Sequence, residues 1–261
     1  MKKVILFTLV ALIGLTFSFN TVAQDDAEAD PNAELLAAMD FQRFAAYFSQ
    51  ETPGTTFTVE ILAERPDGSK AATVQVSFAF DPEQGQRARI DYLTPEELAG
   101  DVFIINGDDI FFWNPDLITP LKVNGQFEVF GDATVAEVVG IGFQGAYEVT
   151  ERSDYTNDDG LDVIELNLVA TREEIAFQQA RVVANAETMQ PITLDLMDEN
   201  GDLLHHNTFE SYDMVEDGRP FFNRQLLDNR VVPVNQTLLI VSNIVNASID
   251  FSIFDETLLG V

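Results

Sequence analysis

The 261 residues contain no cysteine. Disulfides, thiolate metal sites and cysteine nucleophiles are thereby excluded, as is a lipid-modified amino-terminal cysteine. Basic residues are scarce: 14 Lys and Arg stand against 44 Asp and Glu, a formal net charge of −30. Nucleic-acid binding needs basic contacts to phosphate, so the balance argues against nucleic acid as a partner. An anionic membrane surface would repel such a chain, and the acidity reads as a solvated coat. Histidine occurs only as the neighbours His205 and His206. Side by side on a strand, they point to opposite faces and cannot chelate one metal ion. They read as a surface pair, and no metal site is expected. Neither a Gly-x-Ser-x-Gly elbow nor a Gly-rich phosphate loop occurs. Asp108-Asp109 and Asn157-Asp158-Asp159-Gly160 lack a calcium loop's full spacing and terminal glutamate and read as turns. No catalytic residue and no cofactor is expected.

Long apolar runs are also missing, except at the start. Met1-Lys2-Lys3 precedes an uncharged run from Val4 to Phe19, which ends in Thr21-Val22-Ala23. This is the pattern of a secretory signal peptide. The run is shorter than the ~20 residues a membrane-spanning helix needs, and no basic stop-transfer cluster follows. Cleavage is expected after about Ala23, delivering a non-integral protein to the periplasm. Three segments are expected: a signal peptide at 1–23, an acidic disordered start at 24–29, and a single domain over 30–261 with no Pro- or Gly-rich linker inside it.

One amphipathic helix is expected first. Asp30 caps it, Pro31 takes the first helical position, and Pro53-Gly54 ends it at the latest. Ala37, Phe41, Phe44 and Phe48 form its stripe, Leu36 and Tyr47 flank that stripe, and Asp40 interrupts the apolar face. Strands follow. Phe57, Val59, Ile61 and Ala63 alternate with polar neighbours, Pro66-Asp67-Gly68 turns the chain, and Val74, Val76, Phe78 and Phe80 alternate again, a hairpin signature. Ile90 and Tyr92 share a face. Val102–Ile105, a Gly107-Asp108 turn and Ile110–Trp113 make a second hairpin. Thr134–Val139 reads as a short helix. About eleven strands in all predict one antiparallel sheet. One or two helices cannot cover so large an apolar face, so the sheet curls on itself or keeps an apolar cavity.

Residues 89–100, Arg-Ile-Asp-Tyr-Leu-Thr-Pro-Glu-Glu-Leu-Ala-Gly, are followed by Asp101-Val102-Phe103-Ile104-Ile105 and then by Gly107-Asp108-Asp109-Ile110-Phe111-Phe112-Trp113-Asn114-Pro115. Phe130-Gly131-Asp132 and Tyr147-Glu148-Val149 follow, and Asp217-Gly218-Arg219-Pro220 and the Val-Ser-Asn-Ile of residues 241–244 lie toward the end. This ordered series, from about Phe57 onward, resembles the LolA-like outer-membrane lipoprotein-sorting family. The resemblance implies a mainly β fold (α+β): an unclosed, strongly curved antiparallel barrel, with the amino-terminal helix and short helices as a lid over an apolar cavity. It implies a periplasmic carrier of lipid or lipoprotein acyl chains. The implied partners are an efflux-type inner-membrane transporter and an outer-membrane acceptor. The family's best-known carriers close the lid with a strand arginine, and no counterpart is evident here.

The candidate cavity residues are Val59, Ile61, Val74, Val76, Phe78, Ile90, Tyr92, Phe103, Trp113, Leu166, Ile192 and Leu194. Pattern alone favours a filled core, because most alternating strands simply bury one face; the resemblance reverses that and favours a lipid cavity. The candidate lid residues are Leu36, Phe41, Phe44 and Phe48, which either move or seal one end of the core. Two other functions stay open: a non-catalytic envelope scaffold with a filled core, and a lipid-modifying hydrolase, for which no nucleophile is visible.

Overall fold

A computed structural model describes residues 31–48, 54–81, 85–232 and 234–259. The expected signal peptide, the acidic start and the Asp30 cap lie outside the described residues. Helix α1 runs Pro31–Phe44 and tightens into a 3₁₀ turn at Ala45–Tyr47. The strands are β1 (Gly54–Glu64), β2 (Lys70–Asp81), β3 (Gly85–Thr94), β4 (Val102–Asn106), β5 (Asp109–Trp113), β6 (Leu121–Val123), β7 (Glu128–Phe130) and β8 (Ala133–Thr134). After helix α2 (Val135–Val139) come β9 (Tyr147–Thr156), β10 (Asp162–Ala170), β11 (Gln179–Asn185), β12 (Pro191–Met197), β13 (Leu203–Met214), β14 (Pro220–Asn229) and β15 (Gln236–Ala247). Two 3₁₀ turns, Phe251–Phe254 and Glu256–Leu258, follow.

Thirteen strands form one antiparallel sheet in the order β6-β5-β4-β3-β2-β1-β15-β14-β13-β12-β11-β10-β9. The meander is interrupted once, where β15 returns to lie beside β1. The expected count of about eleven strands is therefore too low. The missed strands, β6, β7 and β8, are two or three residues long, too short for a period-two pattern to register. Edge strands β6 and β9 do not pair with each other, so the sheet is unclosed, as expected. It is nonetheless curled. Arg172, after β10, holds Asp108, before β5, in a two-pronged contact of 2.9 and 3.0 Å. Those residues belong to opposite halves of the strand order.

Residues 124–146 connect one sheet edge to the other. This strap carries the β7–β8 hairpin and α2. It lies against the concave face, where it buries Val129, Ala133, Val135, Val138 and Phe143 with the sheet in one core. The strap approaches its neighbours closely. A Cβ on Gly125 would stand 2.7 Å from the Ala176 Cβ. At Gly140, φ is +92° and a Cβ would stand 2.4 Å from the Phe44 ring. Only glycine accepts that backbone angle and that approach together.

Register places whole rows of side chains on the concave face. One row runs Phe57, Val76, Ile90, Phe103, Phe112, Leu121 over six neighbouring strands. Another runs Leu166, Val182, Leu194, Asn207, Leu227, Thr237, Ala63 over seven. Paired residues on neighbouring strands share a face, so each row is a continuous strip of the interior.

Candidate functional site

The concave face and its cover make up the candidate site. The cover has two parts, α1 with its 3₁₀ turn and the strap. Most of its contact with the sheet is apolar, and polar groups also fasten the cover to the sheet and its two parts to each other, among them the four contacts that follow.

The first fastening is Glu137 of α2. Thr134 caps this helix: its Oγ1 accepts from the Glu137 N–H, while Glu137 Oε2 accepts from the Thr134 N–H. That reciprocal arrangement satisfies two otherwise orphaned helix donors. The remaining capacity of Glu137 is spent on the sheet. It lies 3.0 Å from His205 Nδ1 and accepts from Asn207 Nδ2 at 2.8 Å. Glu137 is 2% exposed. Burial works against a charged His205, yet the Glu137 hydrogen bond and charge, backed by Asp132 and Glu128, raise its pKa above the ordinary value. His205 therefore keeps its proton to higher pH than a free imidazole, buried against Glu137.

The second is Asp132. Its backbone N–H donates to Thr237 Oγ1 at 3.1 Å, and its Oδ1 accepts from Asn229 at 2.9 Å. Oδ2 lies 2.8 Å from Arg65 Nη1, but without a well-directed hydrogen bond. Gly131 beside it, at φ +65°, brings the strap so near Ala63 and Thr237 that a Cβ would meet each at 2.8 Å.

The third joins α1 to the end of the strap. Asp40 accepts from the backbone N–H groups of Phe143 and Gln144, each at 2.8 Å. Arg43, one turn on, donates to the Ile141 carbonyl at 2.7 Å and lies 3.6 Å from Asp40. Its guanidinium sits over the rings of Phe44 and Phe143, 4.2 and 4.5 Å from their centroids. Arg43 is 2% exposed, its Nε has no partner, and desolvation lowers its pKa. Desolvation also raises the Asp40 pKa to about 6, against Arg43 and the two N–H donors. In the fourth fastening, from the sheet side, the Tyr92 hydroxyl donates to the Val129 carbonyl.

These fastenings are incompletely satisfied. Arg43 Nε, Asp132 Oδ2 and Asn207 Oδ1 are buried without a hydrogen-bond partner. Of these, Asp132 Oδ2 still faces Arg65 across an ion pair of 2.8 Å, and Arg43 lies where α1 meets the strap.

A family model described as "Uncharacterized protein" matches residues 84–260, more than half of the chain. The chain belongs to that family. No curated protein matches it. Among solved structures, a LolA superfamily protein from Nitrosomonas europaea superposes with a TM-score of 0.73 at 17% identity, covering 85% of this chain and 96% of the other. A domain named for outer-membrane lipoprotein sorting, from Vibrio parahaemolyticus, gives 0.72 at 16% identity, covering 88% and 98%. A DUF1329 family protein from Desulfovibrio piger gives 0.71 at 12%, covering 87% and 97%. The fold is LolA-like.

Ten of the twelve expected cavity residues share the concave face of the LolA-like sheet and are buried: Val59, Ile61, Val74, Val76, Phe78, Ile90, Tyr92, Phe103, Leu166 and Leu194. Trp113 does not join them. It pairs with Val102, while its neighbour Phe112 pairs with Phe103, so Trp113 lies on the convex face and Phe112 takes the inward place. Its indole N–H donates to the Leu117 carbonyl. Ile192 is also displaced. Val183 pairs with Thr193 and Ala184 with Pro191, leaving Ile192 as the extra residue of a bulge, half-buried and outside the main core.

The helix stripe is rotated from the expected one. Leu36, Met39, Arg43 and Phe44 are buried, whereas Phe41 is 40% exposed. Phe48 packs edge-on against Phe78, ring centroids 5.3 Å apart. Asp40 does not interrupt the buried face; its carboxylate joins α1 to the strap. The histidines do point oppositely, but they are not a surface pair: His205 is buried under α2, and His206 meets Asp195 on the convex face. Sequence reasoning missed Arg43, Glu137 and Asp132. Asp40-x-x-Arg43 and Thr134-x-x-Glu137 are readable spacings, but their partners lie 68 to 104 positions away.

Among the described residues, no group of three or more His, Asp or Glu is placed to hold a metal ion. No described helix is long and apolar enough to cross a membrane.

Proposed function

We propose that this protein is a periplasmic carrier that binds acyl chains of a lipid or lipoprotein between its concave sheet and its cover, and moves them toward the outer membrane without catalysing a reaction. The observation that carries the reading is the construction of the interior. An apolar face spans the strands of one curled sheet, and its cover is fastened by buried polar groups, three of them incompletely paired. A permanently filled core has no need of such fastenings, since apolar replacements of buried ion pairs are often as stable or more so. A cover that must lift and reseat does need them, because polar contacts re-form in one register. The LolA-like fold supports the same reading.

The described state is closed. The concave residues are buried by α1 and the strap rather than left open, so loading requires the cover to move, with acyl burial worth ~0.8 kcal/mol per methylene. An inner-membrane transporter of the efflux type as donor and an outer-membrane acceptor complete the proposal, with residues 1–23 as a signal peptide removed on export and residues 30–261 as the carrier domain.

Native mass spectrometry of the mature protein from its own periplasm tests this. A diacyl or triacyl species released on gentle activation supports the carrier. A clean apo mass, with no uptake of added lipid and no displacement of an apolar dye, replaces it with a scaffold that has a filled core. Turnover of an ester substrate replaces it with a hydrolase.

A further inference from the structure

The concave rows are buried along most of their length, but one emerges. In the row Phe57, Val76, Ile90, Phe103, Phe112, Leu121, the first four residues are buried, Phe112 is half-buried and Leu121, on edge strand β6, is 49% exposed. Just beyond β6 the strap begins, and its Phe127 folds back over the row. The Phe127 ring stacks on Phe112 at 5.6 Å and meets Phe103 edge-on at 5.8 Å, yet is itself 40% exposed. At this edge, then, a half-exposed aromatic ring lies between solvent and the buried part of the row. That ring is carried by the strap, whose backbone here is held by Phe127 N–H to Asn124 O, Val135 N–H to Phe127 O and Ala136 N–H to Gly125 O, and by the Gln126 side chain, which donates to the Ala176 carbonyl.

We propose that the β6 edge, with Leu121 as sill, Phe112 as floor and Phe127 as a displaceable plug, is the portal through which an acyl chain enters and along which it lies. The proposal rests on the carrier reading and names the route by which the cargo reaches the interior. The occupant follows from the shape. Strands neighbour each other at ~4.8 Å, so the six-strand row is a track ~24 Å long and one side chain wide. A folded partner could cover Leu121 and Phe127 from outside, but could not follow the track past Phe112 to Phe103. An extended, flexible, wholly apolar chain is the occupant that would lie along both the exposed stretch and, once the cover lifts, the stretch now buried. With the net charge of −30, a zwitterionic lipid meets less repulsion at this edge than an anionic one.

Trp113 provides the control. It is the single tryptophan, next in sequence to Phe112 but on the opposite face of β5. The experiment uses phosphatidylcholine brominated along its acyl chains, a contact quencher of indole fluorescence, with binding followed in parallel by native mass spectrometry. Three full-length mature proteins are compared: the native protein, Trp113→Phe with Phe127→Trp, and Trp113→Phe with Leu121→Trp. The last places the reporter at an exposed position and keeps the test valid should the Phe127 variant fold poorly. Loss of fluorescence at 127 or 121 with native Trp113 unquenched is the expected result. Quenching at Trp113 as strong as at 121 means adsorption to the surface and overturns the portal. Lipid bound by mass but no quenching at 121 or 127 means entry elsewhere; it overturns the portal and leaves the carrier standing. No lipid bound by any of the three overturns the carrier reading itself.

Discussion

Glu137 and His205 meet across the concave face, one from the strap and one from β13, with carboxylate and imidazole 3.0 Å apart and both buried. The sign of the resulting pH dependence is fixed. The folded state holds the His205 proton more tightly than the unfolded chain, whose value is near 6.5. The stabilisation is complete below that value and is lost as pH rises through the folded one, at a rate of at most about 1.4 kcal/mol per pH unit. His205→Gln keeps a hydrogen-bond donor for Glu137 but does not titrate. Urea unfolding at a series of pH values from 6 upward should show the native protein losing stability relative to this variant. Parallel curves would dissociate His205 from the effect.

The Asp40–Arg43 contact behaves in the same direction for a different reason. Burial raises the Asp40 pKa from 3.8 to about 6. Between those values the folded state holds a proton that the unfolded chain has released, so stability falls as pH rises from about 4 to about 6 and is level above. Asp40→Asn removes that slope. The amide oxygen still accepts from the strap and the cost of burying an ionised carboxyl is gone, so the variant should be at least as stable as the native protein at pH 7, with any advantage vanishing toward pH 4. Denaturation midpoints across pH 4–7 read both effects.

Arg43→Ala strips a buried cation from between Phe44 and Phe143 and leaves the Ile141 carbonyl without its donor. The cavity and the broken polar contacts together cost about 3 kcal/mol. Arg43→Met fills the volume without the charge, and should recover much of the stability while leaving α1 less firmly registered on the strap. Hydrogen exchange of the amides of residues 35–48 distinguishes the two: faster exchange in Arg43→Met at near-native global stability is the expected outcome.

These residues mark where the sequence was legible and where it was not. The hairpins from β1 to β5 follow from period-two alternation and from turns at Pro66-Asp67-Gly68 and Gly107-Asp108, because each strand is paired with its neighbour in sequence. Ten of the twelve concave residues follow from the same alternation. Trp113 was misplaced because β5 reads Ile-Phe-Phe-Trp, apolar on both faces, so alternation cannot decide which side is inward. Ile192 was misplaced by a bulge, which shifts the alternation by one residue without any compositional mark. The buried side of the helix turns on polar residues rather than aromatics: buried Arg43 and half-buried Asp40 look like surface residues in sequence, because their partners lie 98 and 104 positions away. Local spacing carries the strands; the fastenings of the cover are long-range and leave little local trace.

The absence of cysteine makes the moving part directly testable. Gly125 of the strap and Ala176 of the β10–β11 connection face each other, with a Cβ built on Gly125 2.7 Å from that of Ala176. A disulfide prefers ~3.8 Å between Cβ atoms, so Gly125→Cys with Ala176→Cys requires the two segments to part by about an ångström, which a loop and the start of the strap permit. No other thiol is present to mispair. Oxidised, this variant has its strap tied to the sheet near the Phe127 plug; reduced, it is free to lift. The expected result is that lipid uptake, followed by displacement of an apolar dye, is lost on oxidation and returns with reductant, while circular dichroism is unchanged between the two states. Equal uptake in both would place the moving part in α1 alone.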